Sequence, residues 1–302
     1  MSLKFNARFD AAYGTPVAVG PDVMRVTARN PSPFTFHGTN TYLLGKDTLA
    51  VIDPGPDDEA HLAALLAAIG GRPVSHIFVS HTHRDHSPLA ARLKERTGAT
   101  VLAEGPHRPA RPLRVGEENR LDASADLAFR PDIALADGSL TAGDGWAIRT
   151  VLTPGHAANH AAFALEGTDV LFSADHVMAW STSIVAPPDG SMADYMRSLD
   201  RLIARDDKVL LPGHGGPVLK PRTFMRGLKA HRLMRERAII ERIEKGDRTI
   251  RDIVAAIYRE TDPRLHGAAG LSVLAHLEDL AARGAVKVEG EPALDAVFLP
   301  AR

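Results

Sequence analysis

Three histidines and an aspartate fall within six residues in the run Ser80-His81-Thr82-His83-Arg84-Asp85-His86. A neutral imidazole nitrogen binds a borderline divalent metal at ~2.0–2.1 Å, and a carboxylate oxygen at ~2.0–2.2 Å. For four such groups to converge, the chain must leave a strand and bend. The apolar run 74–79 directly before the cluster supplies that strand. A solvated loop would rarely concentrate three of the chain's 14 histidines, with an acid, at such a place. Three further segments repeat the arrangement: Thr153-Pro154-Gly155-His156, Ser173-Ala174-Asp175-His176 and Leu211-Pro212-Gly213-His214-Gly215. Each puts a His or Asp just beyond the C-terminal end of a strand, where ligand sites of α/β sheets gather. The Pro-Gly pairs turn the chain sharply, and glycine permits close backbone approach.

The elements that must position these groups alternate between short apolar runs and helical stretches up to about residue 220, a pattern that predicts an α/β fold. Strands are expected at 23–27, 41–44, 48–52, 74–79, 100–103, 147–152, 161–165, 170–172 and 208–211. Helices are expected at 59–69, behind the Asp57/Asp58 cap and closed by Gly70-Gly71, at 88–96 and at 193–204. The stripe Tyr195, Met196, Leu199, Leu202 and Ile203 reads as core packing. The Pro- and Arg-rich stretch 105–121 has no period and is expected to be a loop, either a lid or a surface excursion. Beyond Pro221 come a long charged helix at 222–244, helices at 250–260 and 271–283, and strands at 286–288 and 296–299. That is the layout of a winged helix, so the domains are expected to be 1–221 and 222–302.

Composition limits the chemistry. With 302 residues, 44% hydrophobic and 24% charged, the chain has ordinary globular composition. It contains no cysteine, which excludes disulfides, a thiol nucleophile and thiolate ligands. A metal must then be held by imidazole and carboxylate, which suits zinc, iron or manganese. The net charge of −1 favours neither nucleic acid nor a membrane for the molecule as a whole. Residues 222–246, however, carry eight Lys/Arg against three Glu, a net of +5. Within this stretch Arg232, Arg235 and Arg242 are candidates for a phosphate backbone, with a solvated charged face as the plainer reading. No run approaches the ~18 apolar residues of a membrane span, and residues 1–6 lack the apolar core of a signal peptide. A cytoplasmic protein without membrane partners is expected.

The cluster and the three later segments resemble the metallo-β-lactamase superfamily, marked by His-X-His-X-Asp-His followed by separate His, Asp and His ligands. The resemblance implies an αββα sandwich over roughly 15–220. It makes His81, His83 and His156 the ligands of a first metal and Asp85, His86 and His214 those of a second. Asp175 then matches the carboxylate that bridges both. The segments Gly38-Thr39-Asn40-Thr41-Tyr42, Val51-Ile52-Asp53-Pro54-Gly55, 174–183, 186–190 and 275–280 resemble the β-lactamase-like subgroup with a C-terminal winged helix. A mitochondrial single-strand endoribonuclease of animals belongs to that subgroup. The absent cysteine and the presence of Asp175 speak against β-lactam hydrolysis itself.

Two divalent ions, zinc being the expected metal, would share a water, lower its pKa toward ~7 and give a bridging hydroxide. Asp85 would aim that nucleophile. His160 and His176 lie near expected ligands in sequence and could orient them or the substrate; the resemblance puts Asp53 near the metals too, where it could hold a ligand imidazole, a turn Asp before Pro54 being the plainer alternative. His61, His231, His266 and His276 fall in expected helices and read as surface or core-edge residues. The chain is thus expected to be a binuclear hydrolase acting on a phosphodiester such as single-stranded RNA. One alternative is a thioester or carboxylic-ester hydrolase resembling hydroxyacylglutathione hydrolase. The other is a nucleic-acid-binding module with a vestigial metal site. Against the latter, the helix at 271–283 carries Arg283 beside Glu278 and Asp279, and 247–302 is net negative, which favours an interaction or lid role for the tail.

Overall fold

The computed structural model describes residues 3–114, 117 and 124–301. The first half runs β1 (Val17–Gly20), β2 (Val23–Thr27), β3 (Asn40–Leu44), β4 (Leu49–Ile52), α1 (Glu59–Ile69), β5 (Val74–Phe78), α2 (Leu89–Thr97), β6 (Thr100–Ala103) and β7 (Ile133–Ala134). The second runs β8 (Leu140–Gly143), β9 (Trp146–Leu152), β10 (Ala161–Leu165), β11 (Val170–Ala174), α3 (Met192–Ile203), β12 (Val209–Pro212) and α4 (Pro221–Glu244). The tail adds α5 (Ile250–Ile257), α6 (His266–Ala282), β13 (Val286–Val288) and β14 (Phe298–Pro300).

Strands β1 to β7 form one sheet in sequence order, and β12-β11-β10-β9-β8 form a second. Period-two alternation divides their side chains between layers. Tyr42, Leu44, Ile52 and Phe78 of the first sheet meet Ile148, Phe163, Phe172 and Leu211 of the second in the central core. The opposite face of the first sheet, with Leu43, Val51 and Ile77, packs on Leu62 and Leu65 of α1 and Leu93 of α2. That of the second, with Val151, Ala162 and Leu171, packs on Tyr195, Leu199 and Leu202 of α3 and Met225 and Leu228 of α4. The order helix, sheet, sheet, helix follows directly. Asp58 caps α1 by accepting from His61 N at 2.7 Å, and Gly70 ends it at a φ of 63°. Ser191 caps α3 in the same way, accepting from Asp194 N.

The far half of α4, through Ile239 and Ile243, enters a separate core with Ile250, Ile253, Val273, Leu277 and Phe298. This small unit of helices and a β13–β14 hairpin is the winged helix. Strands β1, β7 and β8 were not expected from sequence. They lie at sheet edges and none has a fully buried side chain; β7 is two residues long, β8 is half exposed, and β1 has only the short run Val17-Ala18-Val19. Helix α6 begins at His266, before the expected 271, because His266-Gly267-Ala268-Ala269-Gly270 has two glycines and little helical signal. Among the described residues no helix is long and apolar enough to cross a membrane.

Candidate metal centre

Parallel pairing of β4, β5 and β6 brings their C-terminal ends to one edge of the first sheet. In the second sheet β11 and β12 are parallel, while β9 and β11 are each antiparallel to β10, so β9, β11 and β12 end at one edge too. The segments carrying His81–His86, His156, Asp175 and His214 leave these ends and meet. His81 Nε2 and His156 Nε2 each lie 3.0 Å from His83 Nδ1. His86 Nε2 and His214 Nε2 each lie 3.2 Å from Asp85 Oδ2. Asp175 stands between the groups, with Oδ1 3.5 Å from His86 Nε2 and Oδ2 3.2 Å from His214 Nε2 and 3.7 Å from His156 Nε2. A tetrahedral ion with bonds of ~2.05 Å sets its ligand atoms about 3.3 Å apart. The spacing therefore fits. The sets His81/His83/His156, His81/His86/Asp175 and Asp85/His86/His214 are each able to hold a metal ion.

Two further observations agree with that fit. His86 Nε2 and Asp175 Oδ1 are buried and have no hydrogen-bond partner. A Cβ added at Gly213 would come within 2.3 Å of Asp175 Oδ1 and 2.7 Å of His86 Cε1, so only glycine leaves these groups room. At Gly155, with φ at 144°, a Cβ would strike the backbone of Tyr195 at 2.3 Å, so glycine lets α3 come up behind His156.

The far ring nitrogen of four of the five histidines is engaged, which fixes the tautomer and aims the near one. His156 Nδ1 donates to Ile184 O at 2.6 Å and His214 Nδ1 to Gly38 O at 3.1 Å. His86 Nδ1 lies 2.9 Å from Asp53 Oδ2, and His81 Nδ1 lies 2.9 Å from Ser80 Oγ. Ser80 Oγ donates in turn to Asp53 Oδ2 at 2.7 Å, and Ser80 N to Asp53 Oδ1 at 2.7 Å. Asp53 and Ala174 both sit at strand ends with positive φ, 49° and 42°, a strained conformation for non-glycine residues. Burial and neighbouring imidazoles hold His83 down at about 3, and burial lowers His81 and His156 as well. Their lone pairs are free for a metal. Burial also disfavours a charged His214, yet Asp175 and Asp85 push it up to about 10. The carboxylates on that side thus demand a cation.

Sequence reasoning gave no role to Thr39, Asn40 or Ser80. Thr39 Oγ1 donates to Asp85 Oδ2 at 3.0 Å, while Asn40 Nδ2 reaches Pro212 O and Gly215 O at 3.1 and 2.9 Å and ties the two sheets together beside His214. The signal was the polar run Gly38–Tyr42 at a buried strand, where polar side chains must have partners.

A family model described as the Metallo-beta-lactamase superfamily matches residues 34–214, the span that holds all seven residues. This chain belongs to that superfamily. A second model, the Beta-lactamase associated winged helix domain, matches residues 249–294. A Beta-lactamase-like protein 2 homolog from Drosophila melanogaster is 30% identical over 279 residues, 88% of this chain and 90% of its own. An atrochrysone carboxyl ACP thioesterase from a Cryptosporiopsis species is 25% identical over 263 residues, 80% of this chain and 74% of its own. The crystal structure of a metallo-beta-lactamase family protein from Thermus thermophilus superposes with a TM-score of 0.75 at 27% identity, covering 94% of this chain and all of that one. Membership makes the chain a hydrolase of a superfamily that typically uses divalent metals.

In this superfamily member, the remaining candidates divide. His160 packs behind His81, ring centroids 5.1 Å apart, with Nδ1 2.8 Å from Thr153 Oγ1. His176 turns away from the ligands to stack near Tyr195 at 4.5 Å, and its ring nitrogens meet no hydrogen-bond partner. His61 and His276, expected at the surface or the core edge, are fully buried. The three arginines proposed for nucleic acid are committed elsewhere. Arg232 is only 4% exposed, donates to Ser183 O and lies over the Tyr195 ring at 5.1 Å. Arg235 stacks on Tyr258 at 4.4 Å, and Arg242 pairs with Asp247 at 2.6 Å. Arg232, being buried, is not free to meet a phosphate backbone, and Arg235 and Arg242 are engaged within the chain.

Over this cluster opens a cavity of about 330 Å³, with His83, Asp85, His156, Asp175 and His214 in its floor. Its walls include Phe34, Met178, Trp180, Ile184, Ala186 and Leu271, and no Lys or Arg among the described residues.

Proposed function

We propose that this chain is a metal-dependent hydrolase of acyl thioesters or esters, with His81, His83, Asp85, His86, His156, Asp175 and His214 holding two divalent ions. The cavity carries the reading: its floor is an imidazole and carboxylate set, its walls are mostly apolar with Thr35, Ser124, Ser181 and Thr182 as the hydroxyl residues, and its described lining holds no Lys or Arg. An uncharged carbonyl on an apolar chain suits such a site better than a polyanion does. Kinship with a protein named as an acyl carrier protein thioesterase supports the same class.

Divalent ions, of a kind the imidazole and carboxylate donor set suits, would supply Lewis-acid polarisation of the scissile carbonyl and lower the pKa of water toward neutrality. The protein does the positioning. Asp85, held by Thr39 through Oδ2, keeps 24% of its side chain exposed and can orient a water by accepting a hydrogen bond from it. His156 is fixed by the Ile184 carbonyl, so its ring stays in place while the substrate carbonyl enters. Apolar walls exclude bulk water and strengthen each polar contact made at the floor.

Phosphodiester hydrolysis is the second reading. Phe34, half exposed, and Trp180, stacked on Phe36 at 4.7 Å, form an aromatic rim on which a base could lie. The test is purified protein, loaded in turn with Zn²⁺, Mn²⁺ or Fe²⁺, against an acyl thioester, a nitrophenyl phosphodiester and a short single-stranded RNA. Turnover of the thioester at least tenfold above the other two is expected. Preferential cleavage of the RNA would replace this reading with the nuclease.

A further inference from the structure

The third helix of a winged helix is the one that enters a DNA groove when such a unit reads nucleic acid. In this chain that helix is α6, and its two faces are already spoken for. Val273, Leu274, Leu277 and Leu280 face the core of the small unit. The stripe Ala268, Leu271, Ala275 and Glu278, spaced three, four and three residues apart, forms the other face of the helix. Each of its members meets the catalytic unit. Ala275 is buried in the core beneath α3 and α4. Glu278 Oε1 accepts from Arg111 Nη2 at 2.7 Å and Arg114 Nη1 at 2.8 Å, both on the loop after β6. Arg114 also reaches the hairpin turn, pairing with Glu291 at 2.8 Å and donating to Pro292 O. Ala268 and Leu271, at the open end of the stripe, line the cavity above the metal-ligand set.

We infer that α6 is a wall of the catalytic cavity and that Leu271 sets the length of the apolar group a substrate may bring. The occupant is the alkyl portion of an acyl substrate. Its carbonyl must reach the His and Asp floor, and the space leading from that floor is bounded by Met178, Trp180 and Ile184 on one unit and Ala268 and Leu271 on the other. The chemistry of the occupant rests on the thioesterase reading; the role of α6 rests on the stripe. Leu271 is only partly buried, so the cavity side of the residue can change without opening the small core.

The test separates the two. Linear carboxylates from acetate to dodecanoate are titrated by calorimetry into the zinc-loaded full-length protein and into Leu271→Trp and Leu271→Ala, with zinc content checked for each. Wild-type affinity is expected to rise about fourfold per added methylene until the cavity is full. Leu271→Trp should stop that rise at a shorter chain and weaken dodecanoate at least tenfold, with acetate and zinc content unchanged. Leu271→Ala should move the plateau to longer chains. Affinity independent of chain length, or both variants matching wild type at every length, overturns the inference. Tight binding of a short single-stranded RNA that Leu271→Trp weakens, without any chain-length effect on carboxylates, also overturns it. Length-dependent binding that responds to Leu271, in a protein that turns over no thioester, leaves α6 as the wall and sinks only the thioesterase reading.

Discussion

Asp53 sits outside both proposed ligand sets yet holds one member of each. Its Oδ2 bonds His86 directly and Ser80 Oγ, which in turn bonds His81. A single carboxylate therefore fixes two ring orientations, and the left-handed backbone at its own position is the cost of reaching both. Removing a partner of this kind typically lowers metal affinity ten- to a hundredfold. Asp53→Ala is expected to lose zinc affinity by that factor in competition with a chromophoric chelator, with native circular dichroism. Unchanged affinity would deny Asp53 its orienting role. Arg232 tells the opposite story. Its guanidinium lies against Ser183 O and Tyr195, next to the Ile184 carbonyl that holds His156. Arg232→Gln should destabilise the protein by about 2 kcal/mol, since a hydrogen bond to a charged group contributes ~1.5–3 kcal/mol. Denaturant melts would measure it. A variant as stable as wild type, with weakened RNA binding, would return Arg232 to the surface role its sequence position suggests.

Strand ends gather the site, and this is where sequence was most informative. A His or Asp after an apolar run marks both the strand and what the strand presents, so all seven proposed ligands and nine strands could be read from the chain. The edge strands β1, β7 and β8 could not. β8 exposes Leu140 and alternates weakly, and β7 is two residues long, so neither has the buried side chains that make a pattern. The first turn of α6 was hidden by its glycines, and with it Ala268 at the cavity. Nor does spacing reveal how close two segments pass. Gly213 follows β12 and reads as one half of a Pro-Gly turn, but its missing side chain makes room for Asp175 and His86. Gly213→Ala should therefore displace the Asp175 carboxylate. The expected result is loss of at least one of the two proposed metal equivalents by elemental analysis, with little change in secondary structure. Full loading of this variant would mean that the segment after β12 has slack that the contact distances deny.

The two units of the molecule meet along α6, and a buried histidine on that helix makes the stability of the fold depend on pH. His276 is 1% exposed, with neither ring nitrogen hydrogen bonded. Burial, reinforced by Arg232, Arg235, His231 and Arg283 nearby, pushes it down to about 3. In the unfolded chain it titrates near 6.5. The folded protein thus keeps His276 neutral while the unfolded chain takes up a proton as pH falls below 6.5. The stabilisation is complete above that value and is lost progressively on the way down to about 3. From 6.5 to pH 5 the loss is on the order of 2 kcal/mol, at ~1.4 kcal/mol per unit. The proposed metal ligands would protonate over the same range, so the measurement belongs on chelator-treated protein, where metal release would contribute nothing. His276→Gln, neutral at every pH, should lower stability at pH 7 through imperfect packing but flatten the acid slope. Denaturant melts of wild type and variant at pH 7 and pH 5 give the comparison. Wild type should lose about 2 kcal/mol more than the variant over that interval. Parallel losses would mean that His276 gains a solvent path or a hydrogen-bond partner on protonation, and that its burial is not what makes the fold sensitive to acid.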